Sequence, residues 1–316
     1  MVKNHQQYLR YTWFLLVMVF LVIIAGGVVR MTQSGMGCPD WPRCFGRWVP
    51  PTDASQLPPD FEKYLGKQDI DHTFNAYHTW IEYINRLLGA LLGVFIFIHF
   101  IWSLVRFRKN YKAIVWLSFF LLVITGFQGW LGKKVVDHNL AVVKVTIHML
   151  VALLIAAIPL VIIHLVKKKE RAMDSRAETR EVITGNWLKY LTTGAVLVLL
   201  IQIVLGTQVR EQIDEISKSL GYQEREVWIS RLDQAFLVHR SFSWLVLAIC
   251  MAIMWKARPY PALRKDTRLI MLIVLATVGF GLIMMWAAIP AWAQPSHLLL
   301  ASILVLAVFN LRLRLK

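Results

Sequence analysis

The chain has 316 residues, 57% of them hydrophobic and 13 of them tryptophan, with a formal net charge of +16. Apolar runs of membrane-spanning length recur from one end to the other, which excludes an ordinary soluble domain. Basic residues held on the cytoplasmic side of a membrane account for the charge, so no nucleic-acid partner is needed.

The first predicted span covers residues 11 to 30. No small-residue cleavage site follows it and further spans do, so it reads as a retained helix instead of a signal peptide. A long polar segment comes next, with the Gly- and Pro-containing turn GCPDWPRC and the acidic residues Asp40, Asp53, Asp60, Glu62, Asp69 and Asp71. The second span, 82 to 104, is entered through YHTWIEYINRLLG, which sets His78, Glu82, Asn85 and Arg86 at the mouth of an apolar helix. Polar groups there need partners, which makes the stretch a candidate site. Further spans fall at 112 to 132, 142 to 165, 187 to 208, 236 to 255, 267 to 289 and 294 to 311; the last is short and ends near Asn310, so seven spans is the competing count.

The fold class expected is an all-α polytopic membrane protein of eight helices in two tandem four-helix bundles. The charged connector at 167–186 separates a first half, 1–166, from a second, 187–316. Lys3, Arg10 and the basic clusters at 106–112, 167–180, 256–268 and 312–316 fall on one side if both termini are cytoplasmic. The halves also resemble each other. GGVVRMTQSG and LGTQVREQID each close a first helix, INRLLG and VHRSFS pair Asn85-Arg86 with His239-Arg240, and KVTIHMLVALL and AQPSHLLLASIL pair His148 with His297. These pairs describe a parallel internal repeat.

Of nine histidines, His5 is expected in a cytoplasmic tail, His72 and His138 in outer loops, and His99 and His164 as interfacial residues at inner helix ends. His148, His239 and His297 differ, because the repeat and the topology put all three near the outer ends of their helices. A lone membrane histidine is more often a packing hydrogen bonder, but three at one depth argue otherwise. Two imidazoles facing across a four-helix bundle suit a six-coordinate heme iron, and His239 and His297 meet that need in the second half. Arg240 could neutralise a propionate, its bland alternative being a snorkelling interfacial cation. No CxxCH occurs, so a heme would be noncovalent, and no compact ligand set suits zinc.

GGVVRMTQSGMGCPDWPRC, IEYINRLLG, GFQGWLG, the His148 segment, LGTQVRE, VHR and QPSHLLLA together resemble the heme A synthase family, over residues 11 to 308. That resemblance implies a bacterial-type plasma-membrane enzyme that oxidises a methyl of heme O to the formyl of heme A through a hydroxymethyl intermediate, for respiratory oxidases. It further implies heme sites toward the outer face, a noncovalent heme b on His239 and His297, heme O as substrate on the His148 side, Glu82 as the essential carboxylate, and an outer-loop pair Cys38 and Cys44. Implied partners are a heme O-making prenyltransferase and a membrane quinone or another electron acceptor, in the lipid bilayer.

One position departs from the family. Many members carry histidine where this chain has Asn85, a poor axial ligand. His78, four residues before Glu82 on the same helical face, is the candidate replacement; the other reading is a substrate iron held by His148 alone. Glu82 also has two readings, a salt bridge to Arg86 at the favourable i, i+4 spacing and a proton-relaying carboxylate. If Cys38 and Cys44 form a disulfide, a structural staple is at least as good an account as a redox role, and Cys250 reads as packing. Tyr11, Trp13, Trp80, Trp187 and Trp292 read as interfacial anchors. The rival functions are a non-enzymatic b-type electron carrier and a heme or quinone transporter.

Overall fold

The computed structural model describes residues 2–65, 74–137, 142–173 and 186–315. His72, His138 and residues 174–185 of the connector lie outside them. Eight long helices carry the described fold: α1 (Val2–Met31), α2 (Ala76–Phe107), α3 (Lys112–Asp137), α4 (Val142–Met173), α5 (Asn186–Ser219), α6 (Gln234–Lys256), α7 (Arg264–Trp286) and α8 (Ala293–Arg314). All eight contain windows long and apolar enough to cross a membrane, and the described residues form no strand. The protein is an all-α, multi-pass membrane protein of the expected eight spans.

The chain forms two compact units, Met1–Ile158 and Pro159–Lys316, with the boundary inside α4 at the Ile158–Pro159 bond. In the first unit, α2 packs against both α1 and α3; in the second, α6 packs on α5 and α7, and α8 on α5 and α7.

Three helix ends differ from the apolar runs that predict them. Helix α1 is already helical at Val2, where a tail was expected, because Tyr8 is fully buried against Phe107 and Trp102 of α2. His5 accordingly lies within α1, with its ring against Phe107. Helix α5 runs to Ser219, beyond the expected end near residue 208. Its last turns, EQIDEISKS, are mostly polar but include the helix formers Glu211, Gln212, Glu215 and Lys218 and are braced by the Arg210–Asp214 pair at 3.3 Å; the apolar run ends there and helicity does not. Helix α7 stops at Trp286, short of residue 289, because Ala288 and Ile289 adopt left-handed backbone and Pro290 follows.

His99 is a further correction. Expected as an interfacial residue, it is fully buried in the first unit, where Nε2 meets the Thr12 hydroxyl at 3.1 Å and the ring stacks on Tyr8 at 4.8 Å. Tyr11 is more than an anchor as well, since its hydroxyl donates to the Phe95 carbonyl at 2.9 Å.

Candidate functional site

Helix α2 begins at a sequence-local signal. Asn75 caps it, its side-chain oxygen accepting from the N–H groups of Tyr77 and His78. One turn on stands Glu82, only 3% exposed. A buried carboxylate must have donors, and the loop after α1 supplies one, the Cys38 N–H donating to Glu82 Oε2 at 2.7 Å. Arg86 supplies the rest, with Nε donating to Glu82 Oε1 at 3.1 Å and Nη2 to the same oxygen. The guanidinium is then filled by loop carbonyls: Nη2 donates to Cys38 O at 2.6 Å, and Nη1 to Asp40 O at 2.5 Å and Arg43 O at 3.3 Å. Its planar fork of donors is what such a cage requires, and lysine could not fill it.

The loop that meets this pair is closed on itself. Cys38 and Cys44 are disulfide-bonded and fully buried, while Cys250 is a buried free thiol, in keeping with packing. Asp40 accepts the N–H groups of Phe45 and Gly46 at 2.6 and 2.9 Å, and Cys44 and Arg47 exchange backbone hydrogen bonds. Phe45 packs beneath Tyr64 and Phe74. Gly37 explains how the loop comes so close: a Cβ there would lie 2.4 Å from the His78 carbonyl oxygen, so only glycine fits against the first turn of α2.

The other site residues share a device that the histidine count alone did not reveal. Three imidazoles each sit over a glycine of the neighbouring helix. A Cβ on Gly132 of α3 would stand 3.3 Å from His148 Cε1, one on Gly206 of α5 would stand 3.2 Å from His239 Cε1, and one on Gly281 of α7 would stand 3.6 Å from His297 Cε1. Four residues before each glycine is a group that ties down the histidine: Gln128 donates to the His148 carbonyl at 2.9 Å, Gln202 to the His239 carbonyl at 3.0 Å, and Thr277 O accepts from His297 Nδ1 at 2.9 Å. The sequence signal is Gln or Thr, three residues, then Gly, legible in FQGWLG, IQIVLG and ATVGFG.

His239 and His297 lie in the same unit, on helices α6 and α8, and α5 and α7 each pack against both of these helices. His148 Nδ1 and His239 Nδ1 are buried with no hydrogen-bond partner among the described residues. An orphaned imidazole nitrogen is costly in an apolar surround, and the bond from His297 Nδ1 to Thr277 leaves its Nε2 available to ligate a metal. These features fit an iron tetrapyrrole.

The fourth seat is incomplete. The repeat aligns α1 with α5 through Arg30 and Arg210, which aligns Gly26 with Gly206 and Val22 with Gln202; it aligns α2 with α6, which pairs Asn85 with His239 and Glu82 with Phe236. Nothing lies within 4 Å of a Cβ on Gly26, and Asn85 Oδ1 is buried without a hydrogen-bond partner among the described residues. Arg240, the counterpart of Arg86, is exposed and lies over the Phe236 ring at 5.6 Å, since no carboxylate stands in that place. His78 is in the first turn of α2, with Nδ1 3.2 Å from the Asn75 side-chain nitrogen.

The family model described as cytochrome oxidase assembly protein matches residues 9–309. Curated relatives carry the name heme A synthase. The protein of Shewanella oneidensis is 30% identical over 198 residues, 62% of this chain but only 55% of that protein. The one from Sphingopyxis alaskensis is 24% identical across 94% of this chain and 88% of its own length, and that of Methylorubrum extorquens is 27% identical across 95% and 85%.

Proposed function

Because the chain belongs to the cytochrome oxidase assembly protein family, that of the heme A synthases, we propose that it works in heme A biosynthesis and oxidises a methyl group of heme O to a formyl group through a hydroxymethyl intermediate. The observation that carries this reading is Glu82. It is a buried carboxylate one helical turn from Asn85 in the first unit, and its counterpart in the second unit is Phe236, so one half of the repeat carries an acid–base group that the other lacks there.

Under this reading the first unit takes heme O, with His148 as an iron ligand and His78, Asn85 and Arg86 bordering the site. The second unit holds a noncovalent heme b between His239 and His297, with Arg240 exposed as a partner for a propionate. When bound, a heme b supplies one-electron uptake and release. The chain's own residues hold the imidazoles over their glycines, exclude water with apolar helix faces and move the proton. With the oxygen drawn from water, each of the two oxidations removes a pair of electrons and releases a pair of protons. Glu82 accepts one of those protons and returns to carboxylate between rounds, and the electrons pass to a membrane quinone or another acceptor. The positive-inside pattern supports cytoplasmic termini in the plasma membrane and sites toward the outer face, where a heme O-making prenyltransferase could deliver substrate.

One observation favours a second reading. Glu82 is fully engaged by Arg86 and Cys38, which is what a purely structural carboxylate in a b-type electron carrier would show. Heme extraction from cells expressing the chain with a heme O source tests the choice. New heme A means an enzyme, whereas protein rich in protoheme with no heme A sinks the oxidation reading.

A further inference from the structure

We propose that the first unit holds its tetrapyrrole iron through a single protein nitrogen, that of His148, and that Asn85 leaves the opposite axial face open to a small exogenous ligand. This rests on the reading of the first unit as a heme site, and it concerns only how that site is coordinated.

The four seats differ in a consistent way. Where an imidazole is present, a glycine lies against its Cε1 and a Gln or Thr one turn earlier fixes the histidine through its backbone or ring. In the α1–α2 pair all of this except the glycine has changed. Val22 stands where Gln202 stands in the second unit, Asn85 stands for His239, and Gly26 is exposed with nothing against it. No protein atom lies within 4 Å of a Cβ on Gly26, whereas an imidazole carbon lies 3.2 Å from one on Gly206. The Asn85 side chain is shorter than histidine, and a carboxamide oxygen is a weak donor to heme iron but a good hydrogen-bond acceptor. Its Oδ1, buried and without a partner among the described residues, suits the O–H of a water or hydroxyl group at the open face.

His78 does not restore the missing ligand. It lies seven residues before Asn85, about 10 Å along the helix axis from the level that the repeat assigns to the ligand. Its Nδ1 faces Asn75, and Gly37 packs onto its backbone carbonyl, which ties it to the loop above the seat.

The two units should therefore differ in spin state when loaded. A heme between His239 and His297 is six-coordinate and low-spin; a heme on His148 alone is high-spin and, once reduced, binds carbon monoxide. The test uses the full chain purified from cells supplying protoheme and heme O, read by electron paramagnetic resonance and by carbon monoxide difference spectra. Expected are one low-spin and one high-spin species, with the high-spin signal and the carbon monoxide response lost together in His148→Ala while the low-spin signal persists. Asn85→His should convert the high-spin species to low-spin and abolish the carbon monoxide response, and His78→Ala should change neither. Two low-spin hemes that ignore carbon monoxide, or a high-spin species that emerges only in His78→Ala, would overturn the proposal. If Asn85→His does not fold, wild type against His148→Ala decides on its own. A first unit that stays empty while the second is filled overturns the inference and the substrate-site reading together. A high-spin, carbon monoxide-binding first unit that makes no heme A overturns only the proposed reaction.

Discussion

The backbone N–H of Cys38 donates to Glu82 Oε2 at 2.7 Å, across 44 residues of sequence, so the carboxylate is held by the disulfide loop on one oxygen and by Arg86 on the other. Chemistry and architecture therefore meet on one side chain. Glu82→Gln keeps an acceptor for the Cys38 amide but cannot take a proton, and its NH2 faces the guanidinium. Heme A formation should fall to near zero while the heme b of the second unit is retained. Arg86→Lys, which keeps the carboxylate but empties most of the carbonyl cage, should be the less stable protein with the greater residual turnover. Heme analysis at matched protein and heme b levels, with a melting curve for each variant, separates the two effects. Near-normal heme A from Glu82→Gln would leave Glu82 as the partner of Arg86 alone.

Cys38→Ser with Cys44→Ser should lower stability, with a chain-entropy contribution of about 2 kcal/mol for so short a loop. Partial turnover should survive if the bridge serves as a staple. A nonreducing peptide map should join Cys38 to Cys44 and leave Cys250 free. A double variant that melts like wild type and has no turnover would assign the cysteines to the chemistry instead.

His239→Ala or His297→Ala should cost the second unit its heme b far more severely than His148→Ala does, because each removes an axial nitrogen that alanine cannot replace. Reduced-minus-oxidised spectra and heme-to-protein ratios measure this. Unchanged low-spin spectra at full occupancy in both variants would refute the pairing.

The glycine seats can be tested without touching a ligand. Gly206→Ala and Gly132→Ala place a methyl 3.2 and 3.3 Å from an imidazole carbon, and the ring must yield, an overpacking cost of roughly 1–3 kcal/mol. Heme retention should drop in the corresponding unit. Gly281→Ala, at 3.6 Å, should be milder, and Gly26→Ala should be neutral or slightly stabilising, since alanine is the better helix former by about 0.5–1 kcal/mol. Equal heme loss in all four variants would show that the glycines act through the helix backbone and not through the rings.

The eight spans were legible because lipid imposes long apolar runs, and the likeness of His148, His239 and His297, each set over a glycine, because the repeat aligns them. Contacts between distant segments were not. His99 reads as an interfacial residue until Thr12 and Tyr8 of another helix close over it. The Glu82–Arg86 pair follows from i, i+4 spacing, but nothing local announces that the Cys38 amide or the carbonyls of Asp40 and Arg43 would complete it. The polar end of α5 escaped a reading keyed to hydropathy, because the forces that keep a helix wound differ from those that keep it in lipid. The glycine seats lay in plain view as a spacing, yet acquired meaning only when each glycine was found beneath a ring.

Gly26 marks where one bundle departs from the other. A glycine inside a helix weakens it, and a Cβ on this one would meet no atom within 4 Å. Its three counterparts each make room for an imidazole. By the repeat, Gly26 keeps the place of a seat whose histidine is Asn85 in this chain, so returning an imidazole to that face takes one substitution on α2 and no room made on α1.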